Sequence, residues 1–155
     1  MLLRPMTEEE FPAFVALSQE GYARERALAF DTPLDEERAI AKLQYGDLLK
    51  DGIRSPGHRL WRVVLDDQAA IGHLWAFVDA DGRRAFIYDV YLDEAHRGKG
   101  HGKNVLALLE KELVPLGVQR VGLNVFATNR VAFHLYEMQG YQVTNYQMQK
   151  RLGAG

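Results

Sequence analysis

A chain of 155 residues has the length of a single domain and is large enough to bury a real core. It is 47% hydrophobic and 26% charged, with a formal net charge of −2, so it resembles an ordinary globular protein and carries no global basic field for nucleic acid. No apolar run nears the ~20 residues of a membrane span. The opening MLLRPMTEEE is too acidic and too poor in apolar residues for a secretion signal. The absence of cysteine fits a reducing cytoplasm and removes thiol nucleophiles, disulfides and thiolate metal sites.

In chain order, Leu2 to Pro5 reads as a short strand. Thr7 to Glu10 reads as a capping box with Thr7 as N-cap, followed by Phe11, Phe14, Val15 and Leu17 at helical spacing to about Gly21. Gly21 to Pro33 reads as a mobile connection, partly helical at most. Leu34 to Lys50 reads as a second helix carrying Ile40, Leu43, Leu48 and Leu49. The period then drops towards two. Leu60–Leu65, Ala70–Val78 and Ala85–Leu92 read as an antiparallel meander joined by the turns at Asp66-Asp67-Gln68 and Asp79-Ala80-Asp81-Gly82. Leu106, Leu109, Leu113 and Leu116 form one helical stripe, disturbed by Pro115 and ended by Gly117. Val118 to Val125 reads as a strand parallel to its predecessor, because a helical crossover joins them. Asn129 or Thr128 caps a last helix to about Gln139, with Gly140 as its stop. Tyr141 to Leu152 alternates well enough to be a final strand, bent near Asn145.

Between the third meander strand and the Leu stripe lies His96-Arg97-Gly98-Lys99-Gly100-His101-Gly102-Lys103. A strand, a glycine-rich loop and a helix N-terminus make a ready anion site, in which backbone N–H groups approach a phosphate closely. The same residues also suit a solvated basic turn. Neither common nucleotide motif fits. Walker A requires glycine five residues before Gly102, where Arg97 stands, and Ser or Thr after Lys103, where Asn104 stands. The Rossmann spacing is one residue short at Gly98-x-Gly100-x-Gly102. The five histidines (58, 73, 96, 101 and 134) have no metal-ligand spacing, so no metal is expected.

Arg97-x-x-Gly100-x-Gly102 after a strand resembles the acyl-CoA pyrophosphate loop of the GNAT superfamily of N-acetyltransferases. The family's second signature is matched by Asn129-x-x-Ala132-x-x-Leu135-Tyr136 followed by Gly140-Tyr141, with Leu123-x-Val125 where its fifth strand belongs. The resemblance is firm from Ala85 to Tyr141 and weaker before Leu60. It implies one α/β domain: a mixed, mostly antiparallel, twisted sheet of six to seven strands, with about four helices on both faces. It implies transfer of an acetyl group from acetyl-CoA to a primary amine of a small molecule or peptide. Pyrophosphate would be held at Arg97, Gly98, Lys99, Gly100, His101, Gly102 and Lys103, although Lys99 and Lys103 read equally well as solvated surface lysines. The pantetheine arm would be held by the backbone of Val90, Tyr91 and Leu92, where the family's fourth strand splays from the fifth, and by Asn129. Asn129 also reads as a plain N-cap.

The resemblance also implies that Tyr136 lies near the thioester sulfur and protonates the departing thiolate. Helical periodicity alone reads Tyr136 as a core aromatic beside Phe133. Family members often carry a glutamate base on the fourth strand. Here that strand offers Asp89, which reads as a base or as a structural acceptor, and Tyr91, which could line the acceptor pocket. Glu25, Glu36 and Glu37 are alternative bases that also read as surface charges. His73, Trp75 and Phe77 alternate on one strand and read as pocket wall or packing. Without cysteine no acyl-cysteine can form, so direct transfer in a ternary complex is expected. A non-catalytic acyl-CoA sensor and a binder of another phosphate ligand fit the same loop. A homodimer is compatible with the chain, and the acceptor is not readable from it.

Overall fold

In a computed structural model, residues 1–153 are described. Five strands and four α-helices follow in the order β1 (Leu2–Pro5), α1 (Phe11–Phe30), α2 (Leu34–Leu48), β2 (His58–Val64), β3 (Ala70–Val78), β4 (Arg84–Leu92), α3 (His101–Leu113), β5 (Arg120–Leu123) and α4 (Arg130–Met138). The sheet runs β1-β2-β3-β4-β5, antiparallel except for the parallel β4–β5 pair. Its mixed, mostly antiparallel character agrees with the sequence. Its five strands replace the six to seven expected.

The missing strand is the segment after α4. Residues 141–152 form no ladder despite their alternation. Alternation is a local property, whereas a strand needs a partner edge. The second departure is α1, which runs as one 20-residue helix through Gly21 to Phe30 where a mobile connection was expected. Tertiary contacts hold it. Ala23 is buried, Tyr22 meets Tyr45 and Phe126, and Phe30 meets Phe126 edge-on. Beneath this, the Arg26 guanidinium lies over Phe30 and pairs with the buried Glu37 on α2. Glu37 is therefore a structural partner. The capping-box bonds also form one turn early. The Thr7 N–H and hydroxyl donate to Glu10 Oε1 at 3.0 and 3.1 Å, but helix α1 starts at Phe11 with Pro12 in its first turn.

Helices cover both faces. One cluster joins α3 (Val105, Leu106, Leu109, Leu113) to Leu74, Ala76, Ala85 and Ile87, with Leu135 and Tyr136 of α4 against it. The other joins Phe14 of α1 and Tyr45 and Leu49 of α2 to Leu60 and Trp75. Strand β4 shows how the site is placed between them. Ile87 pairs with Ala76 but Asp89 pairs with Trp75, so Tyr88 is an extra, bulged residue. In a regular strand residues 87 and 89 share a face. The bulge breaks that rule: Ile87 faces α3, while Asp89 meets α1.

Candidate functional site

The β4–β5 ladder ends at Ile87↔Leu123. From Tyr88 onward that edge of β4 has no strand partner, so the chain opens a cleft between β4 and the residues leading into α4. This is the splay expected around Val90, Tyr91 and Leu92. It leaves backbone groups available to an extended arm laid in as an added strand. One of these groups is already taken. Arg97 Nε donates to the Leu92 carbonyl at 2.8 Å, with its guanidinium over the Tyr91 ring. Arg97 therefore braces the end of β4 as well as standing at the loop.

The three loop glycines have separate reasons. Gly98 and Gly100 take positive φ, +74° and +81°, and a Cβ on either would meet open space. Backbone conformation is what selects glycine there. Gly102 has no such φ. A Cβ there would come 3.0 Å from Leu135 Cδ2, so this glycine lets α3 pack closely against α4. Gly100 is the N-cap of α3 and His101 its first residue. Lys99 and Lys103 are exposed at this N-terminus. Exposed N–H groups, glycine backbone and two lysines form a site that suits a pyrophosphate. Among the described residues, no group of three His, Asp or Glu side chains is placed to hold a metal ion.

At the head of the cleft, Asp89 gathers three elements. Its Oδ2 accepts from Ser18 Oγ of α1 at 2.5 Å and meets His73 Nε2 of β3 at 2.7 Å. A carboxylate only accepts, so the network assigns the His73 proton to Nε2. His73 is fully buried, stacked on Tyr91 and edge-on to Phe14, with Nδ1 left without a partner. Tyr45 Oη lies 2.7 Å from Ser18 Oγ. Burial first, then the Asp89 charge, raises the Tyr45 pKa, so its neutral phenol donates to Ser18 and Ser18 donates onward.

Tyr136 is half-buried on α4, its ring 5.5 Å from that of Tyr141. Burial first, then the negative charge of Asp89, pushes its pKa up, so the hydroxyl stays protonated. Asn129 caps α4 by accepting from the Ala132 N–H at 3.2 Å, and its Nδ2 donates to Glu25 Oε1 at 3.2 Å. Glu25 touches solvent, yet crowding by surrounding protein raises its pKa, with the Asp89 charge adding to it. The second half of α1 thus walls the cleft opposite α4. Glu36 is exposed on the outer helix surface.

Four contributors went unseen in the sequence: Ser18, Tyr45, the fixed position of Glu25, and Gly72. A Cβ on Gly72 would lie 2.0 Å from the Tyr91 carbonyl oxygen, so only glycine lets β3 and β4 close at this point. A lone glycine inside a strand pattern is the available signal for such an approach. Ser18 has no comparable signal, because its partners are 27 and 71 residues away.

Residues 14–141 match the Acetyltransferase (GNAT) family. The chain is 35% identical over 154 residues to the uncharacterized N-acetyltransferase YycN of Bacillus subtilis strain 168, covering 98% of this chain and 99% of that one. It is 35% identical over 152 residues to YdgE of the same organism, also an uncharacterized N-acetyltransferase, covering 97% of each. The crystal structure of YycN superposes with a TM-score of 0.93, covering 97% of this chain and 98% of that one.

Proposed function

Since the chain belongs to the GNAT acetyltransferase family and is an acetyl-CoA-dependent N-acetyltransferase, we propose that Asp89 is its general base, Tyr136 its general acid, and a cationic primary amine its acceptor. Acetyl-CoA supplies the acyl group as a thioester. The residues that would hold it are the loop Arg97–Lys103, the open edge of β4 from Val90 to Leu92, and Asn129. The observation that carries the assignment is a hydrogen-bonded carboxylate, Asp89, beside a half-buried phenol, Tyr136, near enough for the Asp89 charge to help keep the phenol protonated.

The roles follow from protonation states. A free alkylamine holds its proton to pH ~10, so attack at neutral pH needs a base. Ser18 and His73 occupy Asp89 Oδ2, which leaves Oδ1 to accept a proton from the amine. The leaving sulfur needs a proton, and Tyr136 Oη holds one throughout the neutral range. Asp89 and Glu25 together make the cleft head acidic, which favours an acceptor that arrives as a cation. Tyr22 and Phe126 supply an apolar wall beside Glu25 for the acceptor's carbon skeleton. Both a small amine and a peptide amine meet these requirements.

The test is steady-state acetylation across a panel of primary amines with Tyr136→Phe and Asp89→Asn. Each variant should lose about 10²-fold or more in kcat while retaining acetyl-CoA binding. Full activity in Tyr136→Phe would remove the general-acid role. Binding without turnover of any amine would favour the acyl-CoA sensor.

A further inference from the structure

His73 holds Asp89 through a single hydrogen bond. The imidazole is fully buried, with Nε2 2.7 Å from Asp89 Oδ2. Its other nitrogen, Nδ1, is also buried and has no partner among the described residues. A histidine that orients a carboxylate is ordinarily fixed in turn by a bond at its second ring nitrogen. One bond alone lets the ring tilt about the bonded nitrogen and carry the carboxylate with it. The plane of this imidazole must therefore be set by packing.

The surrounding rings supply that packing. Phe14 of α1 meets the imidazole edge-on, with centroids 4.7 Å apart and planes at 90°. Tyr91, its direct cross-strand neighbour on β4, stacks on it at 5.2 Å and 18°. Gly72, one residue before His73, lets the two strands close at this point. Tyr91 is in turn covered from outside, where the exposed Arg97 places its guanidinium carbon 5.3 Å from the ring centroid. Arg97 is anchored there, because its Nε donates to the Leu92 carbonyl at 2.8 Å. The glycine loop leaves from this same residue. Guanidinium, phenol ring, imidazole and carboxylate thus form one continuous line from the loop to the cleft head. Ser18 reaches the same Asp89 oxygen from α1, so helix and strand together point Oδ1 in one direction.

With Asp89 read as the general base, on which this rests, we propose that Arg97, Tyr91 and His73 are positioning residues for acetyl transfer. Their stack fixes the Asp89 carboxylate. The Arg97 side chain serves the base, while the loop backbone that follows it serves the phosphates. The Tyr91 ring acts as a spacer in the stack, and its hydroxyl is not needed for that role.

Steady-state kinetics paired with calorimetric titration of acetyl-CoA tests the stack. Tyr91→Leu removes the ring and should lower kcat on the order of 10-fold or more, because a displaced base is costly even when it is present. Its Kd for acetyl-CoA should move by less than about threefold, which also shows that the variant is folded. Tyr91→Phe keeps the ring and should stay within about twofold of wild type. Arg97→Gln keeps an N–H donor at the position of Nε but removes the cationic plate, so it should lower kcat by a larger factor than it weakens acetyl-CoA binding. In the Asp89→Asn background Tyr91→Leu should cost nothing further, since the stack acts only through that carboxylate. Wild-type kcat in Tyr91→Leu, equal impairment in Tyr91→Phe, an equal loss in both backgrounds, or an Arg97→Gln effect confined to Kd would each overturn the proposal. Full kcat in Asp89→Asn would instead remove the base itself, and the purpose of the stack with it.

Discussion

Asp89 shows how a residue acquires a role from its surroundings. On sequence it is one acidic side chain in an apolar strand. The Tyr88 bulge turns it towards α1, and Ser18 and His73 then fix one of its oxygens. The closeness of β3 and β4 behind it depends on Gly72. In Gly72→Ala the new methyl would stand 2.0 Å from the Tyr91 carbonyl oxygen, and that atom is backbone, which has no rotamer to yield. We expect a loss of about 3 kcal/mol or more in urea unfolding. Gly102→Ala meets only the flexible end of Leu135 and should cost less, on the order of 1 kcal/mol. The motif glycines Gly98, Gly100 and Gly102 were legible in the sequence; the separate reason for each was not. Spacing marks a position, while φ and the neighbouring atoms say why glycine stands there.

At the scale of elements, the junction of β1 and α1 is tied by Glu10. It takes a two-pronged bond from Arg4 at 2.9 and 2.8 Å and two more from Thr7. The Arg4 bond chiefly, with the Thr7 bonds assisting, lowers its pKa from the ordinary 4.5 to about 2. The unfolded chain therefore binds this proton more readily than the folded one. The stabilisation is full above pH ~4.5 and fades as pH falls towards ~2. Glu10→Gln should cost about 1 kcal/mol at neutral pH and flatten the acid limb of a stability–pH curve over that window. An unchanged acid limb would mean that the pair forms weakly in solution. The strands of the meander and helices α2, α3 and α4 fell close to where periodicity and caps put them. The second half of α1 did not, because its hold on Phe126, Tyr45 and Glu37 is long-range and leaves little local hydrophobic period.

For the whole molecule, the cleft joins a loop, a strand edge and two helices, so a ligand spanning it should stabilise all of them together. At a concentration near 100 times Kd, acetyl-CoA should add about 2.7 kcal/mol and raise Tm by roughly 5–10 °C. ATP, which has the phosphates but not the pantetheine arm, should do markedly less. Equal shifts with both ligands would assign the loop to phosphates in general and detach it from the β4 edge. Among the described residues no helix is long and apolar enough to cross a membrane. The same global view explains why the alternation of residues 141–152 misled. Strand formation needs a partner edge, and among the described residues this segment pairs with no strand.

The sheet's meander, the glycine loop at a helix N-terminus, a cap at Thr128 or Asn129 and the family were all legible in the sequence, because each rests on patterns within a few tens of residues. The packed fold sets which way Asp89 faces, that Ser18, His73 and Tyr45 serve it, that Glu25 reaches Asn129 across 104 positions, and that the last alternating segment forms no ladder. Those outcomes depend on distances between residues far apart in the chain, and a one-dimensional pattern of hydrophobicity carries no such distances.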